Sequence, residues 1–74
     1  MASADKLFEK KQRAVIDRIK SALETKGWNQ RDLAQKARMK DSVISRILHG
    51  ETNLTLKTIA ELEHALGMNL ISVP

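Results

Sequence analysis

The sequence predicts an all-α domain of four helices, and three observations carry that prediction. Gly27, Gly50 and Gly67 each follow an amphipathic segment, at the position where a helix closes on a positive φ. No glycine falls inside a segment, and the single proline, Pro74, is the last residue. Asn29 and Thr55 stand where helices should begin, and each carries a side-chain oxygen able to cap free backbone N–H groups. Helices are expected at about 4–26, 30–37, 41–49 and 56–66. With 74 residues the chain reads as one domain, 1–74, with a small core.

The elements follow in order. Helix 1 places Val15, Ile19, Ala22 and Leu23 on one face. Leu7 and Phe8 precede that stripe and are free to pack on the core, on a second copy or on a partner protein. The run from Glu9 to Arg13 reads as a solvated face, with contact to a phosphate backbone as the other reading. Helix 2 starts from Asn29, with Asp32 in the first turn favoured by the helix dipole. Trp28 and Leu33 have the spacing of a hydrophobic staple, which makes Trp28 a core residue rather than a stacking surface. The buried face of helix 2 is Leu33, Ala34 and Ala37. In helix 3, Met39 and Ile44 repeat the staple, and Val43, Ile44, Ile47 and Leu48 form the apolar face. Lys40 lacks an acceptor and caps poorly, although Asp41 in the first turn partly compensates. Helix 4 starts from Thr55, staples Leu54 to Ile59, and buries Ile59, Leu62 and Leu66.

The tail, residues 68–74, changes character. Leu70, Ile71 and Val73 favour an extended strand, and a lone strand needs a ladder partner. Pairing with the same strand of a second copy about a two-fold axis supplies one, making these three dimerisation residues. An irregular tail packed on helix 1, or an end cut from a longer protein, is the other reading.

Composition excludes several classes of function. There is no cysteine, hence no disulfide and no thiolate for metal or nucleophilic chemistry. Phe8 and Trp28 are the only aromatic residues, too few for stacking single-stranded nucleic acid. The longest apolar run is Ala14 to Ile16, which gives neither a membrane span nor a signal-peptide core, so a cytoplasmic location is expected. His49 and His64 stand apart with no carboxylate cluster, so no metal or cofactor is expected. No nucleophile–base set suggests an enzyme. Charge is uneven: residues 1–50 carry twelve Lys and Arg against six acids, and residues 51–74 one Lys against three Glu. A basic face with an acidic remainder suits a polyanion, though an ordinary solvated surface looks the same.

Only Arg38, Met39 and Lys40 separate helices 2 and 3, the spacing of a helix-turn-helix at about 29–50, whose second helix enters the major groove. Opposite the apolar face of that helix, Ser42, Ser45, Arg46 and His49 fall at i, i+3, i+4 and i+7. Short side chains allow close approach to base edges, and an arginine can bind guanine O6 and N7 bidentately. Asp41 repels phosphate, so beside DNA it must accept from a base amino group or pair with Lys40 or Arg38.

The stretch from Trp28 to Ala34, with Val43 to Gly50 and then Asn53 to Ile59 and Ala65 to Gly67, resembles the lambda-repressor-like, Cro-type (XRE) helix-turn-helix family. The likeness covers about residues 15–67. It implies a four- to five-helix DNA-binding domain, here with a short C-terminal extended segment. It further implies a sequence-specific regulator of transcription on double-stranded DNA, a repressor acting as a homodimer. By that likeness Asp41, Ser42, Ser45 and Arg46 read bases, a surface salt bridge with Glu51 or a purely phosphate contact being the other readings of Arg46. Gln30 opens helix 2 as a phosphate ligand, and Arg31, Arg38, Lys40, His49, Thr52, Asn53 and Lys57 are further backbone contacts. Two positions depart from the family pattern. Arg38 stands where Gly is usual, so it must accept a strained conformation or take a different turn, and Lys40 stands where Ser or Thr is frequent. The ending from Gly67 to Pro74 is similar to that of HigA- and HipB-type antitoxins, which implies a toxin protein as an alternative partner.

Overall fold

Helix α1 spans Ser3–Lys26 and is the longest element, followed by α2 (Gln30–Ala37), α3 (Asp41–Leu48) and α4 (Leu56–Leu66). The computed structural model describes the backbone of residues 3–71 and the side chains of residues 6–71, and no strand occurs among them. The domain is all-α, as the sequence predicts. At 1.5 Å per residue, α1 is about 36 Å long, which accounts for most of the 40 Å longest dimension. Helix α2 packs against α3 and α4, and α1 packs against α3.

Side chains from all four helices meet in one core. Val15, Ile19, Ala22 and Leu23 of α1 join Leu33 and Ala34 of α2, Ile44 and Ile47 of α3, and Ile59, Leu62 and Leu66 of α4. Ile19, Leu33, Ile44, Leu62 and Leu66 are essentially fully enclosed. Trp28, Ala37, Met39, Leu48 and Leu54 cover the edges. Ile16 is also buried, which the α1 stripe did not include. Val43 departs from expectation in the other direction: it is 40% exposed. Seen down α3, Val43 and Leu48 mark the two edges of an apolar arc of about 140°. Ile44 and Ile47 take its centre, and the core covers the Leu48 edge further than the Val43 edge.

The helix ends follow local chemistry. Asn29 Oδ1 accepts the Asp32 N–H at 2.8 Å, while Asp32 Oδ2 accepts the Asn29 N–H at 2.9 Å. This reciprocal capping box satisfies two orphan donors at once. Thr55 Oγ1 accepts the Thr58 N–H at 3.1 Å, and Lys40 makes no side-chain cap. The three glycines all have positive φ. At Arg38 the turn does what a glycine would: φ is 57° and ψ 43°. The Met39 N–H then donates to the Ala34 carbonyl at 2.9 Å, closing α2. Arg38 thus takes the strained alternative, at a cost of about 1–2 kcal/mol.

The expected C-terminal strand is not formed through Ile71. After Gly67 the chain turns back, and the Leu70 and Ile71 N–H groups donate to Glu63 Oε2 at 2.7 and 3.3 Å. A side-chain carboxylate therefore supplies the acceptor that a ladder would have supplied. The side chain of Leu70 is 2% exposed and belongs to the core of its own chain. Ile71 is half-buried against the same cluster. Val73 lies outside the described residues.

Candidate nucleic-acid interface

The turn Arg38-Met39-Lys40 sets α2 and α3 so that their first turns meet. Gln30, the first residue of α2, donates from Nε2 to the carbonyl of Asp41, the first residue of α3, at 3.3 Å. Beside it Arg31 Nε lies 3.7 Å from Asp41 Oδ2, with the two side chains 75% and 52% exposed. A pair so open to water is weak and screened by salt. Without DNA, Asp41 pairs with Arg31 and not with Lys40 or Arg38. Turn geometry explains this: Arg38 is held in the left-handed region, while Arg31 sits one residue into α2 beside the Gln30 contact.

Along α3 the expected polar stripe faces outward. Ser42, Arg46 and His49 are exposed, and Ser45 is half-buried. His49 Nδ1 lies 2.7 Å from the Ser45 carbonyl and 3.4 Å from Ser45 Oγ. A carbonyl only accepts, so Nδ1 donates there and Nε2 is left for another partner. Arg46 forms no ion pair among the described residues, and its guanidinium keeps its fork of donors. Val43 widens the outward arc with an apolar side chain, the type that suits a thymine methyl group. It borders a shallow groove shared with Thr52 and Asn53 of the loop after α3.

Of the other expected contacts, Arg38 and Lys40 are exposed on the turn itself. Lys57 is exposed in the first turn of α4, and no hydrogen bond or ion pair among the described residues ties it to α3. The structure thus groups Gln30, Arg31 and Asp41 at one end of α3, and Ser45 and His49 along it. Thr52 and Asn53 flank the Val43 side. One positioning residue escaped the sequence: Gln12 Oε1 accepts the Leu54 N–H at 2.9 Å and holds the loop that presents Thr52 and Asn53. Its only sequence signal is a polar residue one turn ahead of the buried Val15 and Ile16. Among the described residues no group of three His, Asp or Glu is placed to hold a metal ion, and no helix is long and apolar enough to cross a membrane.

Two short helices joined by a three-residue turn, the second with an outward polar face, define a DNA-binding helix-turn-helix domain. The family model described as helix-turn-helix matches residues 19–71, so the chain belongs to that family, the XRE-type regulators of transcription. Compared with curated proteins and with solved structures, the chain finds no match.

Proposed function

We propose that this protein is a transcriptional repressor that binds an operator in double-stranded DNA as a homodimer. The observation that carries the proposal is the outward face of α3, where Ser42, Ser45, Arg46 and His49 line one side of the helix behind the Gln30–Asp41 contact. In the complex α3 lies in the major groove, and Arg46 reads a guanine while Ser42, Ser45 and Asp41 contact neighbouring bases. Asp41 serves as an acceptor for a base amino group, and Arg31 screens its charge from the phosphates. Gln30, Arg31, Arg38, Lys40, His49, Thr52, Asn53 and Lys57 hold the phosphates on either side and set register. A two-fold dimer presents two such helices about 34 Å apart to a palindromic site. Occupancy of a promoter then excludes polymerase.

The test is selection from random duplexes at two salt concentrations. Enrichment of a palindrome, with log affinity falling linearly with log salt, is the expected result. A pool that stays random, with affinity indifferent to salt, would overturn the proposal.

A second reading rests on a different observation. Leu7 and Phe8 on α1 are 53% and 43% exposed, and Leu56 on α4 is 74% exposed. With the extended α1 and an acidic last third of one Lys against three Glu, they are the surface offered to a protein partner. An antitoxin that caps a toxin and represses its own operon accounts for them together with the α3 face. Stable co-purification with a small protein encoded beside this chain supports that reading, and a toxin-free DNA-binding dimer opposes it.

A further inference from the structure

The N-terminal part of α1 stands ahead of the matched helix-turn-helix region, which begins at residue 19. Lys6, Lys10, Arg13, Asp17 and Lys20 recur at i, i+4, i+7, i+11 and i+14. At 100° per residue they fall within an arc of about 80°, so they form one straight stripe. Leu7 and Phe8 lie off that arc, on other faces of the helix.

The stripe faces something definite. Lys6, Lys10, Arg13 and Lys20 line a groove of about 670 Å³ whose opposite wall is Leu48, His49 and Gly50, the end of α3. Two carboxylates, Glu9 and Asp17, share the groove, so the four cations outnumber them two to one. No ion pair neutralises any of the four cations among the described residues. His49 belongs both to this groove and to the outward stripe of α3. The groove is therefore continuous with the proposed recognition surface.

We infer that this groove is a second polyanion-binding surface, which takes the phosphate backbone of the duplex outside the bases read by α3. The inference rests on the DNA-binding reading above. From Lys6 to Arg13 the helix rises about 10 Å, which matches about three successive phosphates of one strand. Lys6, Lys10 and Arg13 neutralise those phosphates, and Lys20 and His49 hand the strand on to the recognition helix. Backbone contacts of this kind carry no sequence information, so the extension raises affinity and salt dependence and leaves the preferred sequence unchanged.

The experiment compares the intact chain with a Lys6→Ala, Lys10→Ala, Arg13→Ala variant, and with a Lys6→Arg, Lys10→Arg, Arg13→Lys control. Each is titrated against the selected site in a long duplex and in one trimmed to the bases that α3 reads. All three side-chain positions are exposed, and thermal melts check that each variant folds. On the long duplex the alanine variant should lose about 2–3 units of the log–log salt slope and about tenfold to hundredfold in affinity at moderate salt. Trimming the duplex should cost the intact chain a similar amount and the alanine variant little. The charge-preserving control should behave as the intact chain, and all three proteins should rank single-base variants alike. An unchanged slope in the alanine variant overturns the inference and leaves the function of α3 standing. Equal losses on long and trimmed duplexes overturn it too, because they mark a diffuse field rather than contacts. If the intact chain itself binds with no salt dependence, the DNA-binding reading has failed, and this groove then belongs to an acidic protein partner instead.

Discussion

Gln12 and Leu54 lie 42 residues apart, and the Gln12 side-chain oxygen accepts the Leu54 backbone N–H at 2.9 Å. The bond is part-buried and crosses from α1 to the loop between α3 and α4. That loop has no regular structure of its own, and Thr52 and Asn53 on it are proposed to touch phosphate. Gln12→Leu keeps the apolar bulk and removes the acceptor, so the Leu54 N–H loses its partner. The expected loss is about 1–3 kcal/mol of folding stability, read from urea unfolding. Gln12→Glu keeps an acceptor and should lose much less. Equal losses for both variants would show that the side chain acts through packing.

The left-handed Arg38 gives the second prediction. Its φ of 57° is the one positive value outside glycine among the described residues. Arg38→Gly relieves the backbone at the cost of a more flexible unfolded chain. The two effects oppose each other, and relief is larger, so a net gain of about 0.5–1 kcal/mol and a rise in Tm of a few degrees are expected. Arg38→Ala keeps the strain and should show no such gain. In DNA titrations Arg38→Gly should lower the salt slope by about one unit. A fall in Tm for Arg38→Gly would mean that the guanidinium stabilises the turn by more than the strain it imposes.

Much of this fold is legible because its punctuation is local. A glycine after an apolar-periodic segment, or an Asn followed three residues later by Asp, acts within one helical turn, and the helix ends around Gly27 and Asn29 fall where such rules place them. What could not be read depends on contacts between distant segments. Leu70 looked like a strand residue because β-branched and aliphatic neighbours favour extension. It became a core residue because the chain reverses after Gly67 and Glu63 reaches its N–H. Val43 was indistinguishable from Leu48 as an edge of the α3 arc, and it is the packing of α1 beside Leu48 that leaves the Val43 edge the more open one. The outward face of α3 was legible since its period is fixed by the helix. The choice of Arg31 as partner for Asp41 was not, because it depends on how the turn aims α2 at α3.

Arg46 and Gln30 should separate cleanly in binding experiments. Removing a bidentate base contact costs about 1–3 kcal/mol and relaxes preference at one base position, which is the expectation for Arg46→Ala. Gln30→Ala should weaken binding to all sequences alike, because it removes a contact that carries no base information. Competition against single-base variants of the selected site distinguishes the two. If Gln30→Ala altered base preference, its bond to the Asp41 carbonyl would be aiming α3 rather than merely holding phosphate.

Leu70 decides how the end of the chain contributes to assembly. A residue that fills its own chain's core stabilises each protomer by the same amount at any concentration. A residue that seals a two-fold strand pair stabilises only the dimer, so its effect enters through mass action. Leu70 is 2% exposed and packs with the α-helical core. Leu70→Ala should therefore cost about 2–5 kcal/mol, with an unfolding midpoint that shifts equally at micromolar and at tenfold higher protein. Glu63→Gln retains a carbonyl oxygen for the Leu70 and Ile71 N–H groups and should cost far less than Glu63→Ala. The dimer proposed for operator binding must then be sealed by other surfaces, and sedimentation of Leu70→Ala under conditions where it stays folded should show the same association as the intact chain. Association that disappears in that folded variant would return Leu70 to the interface and require the tail to leave the core when two copies meet.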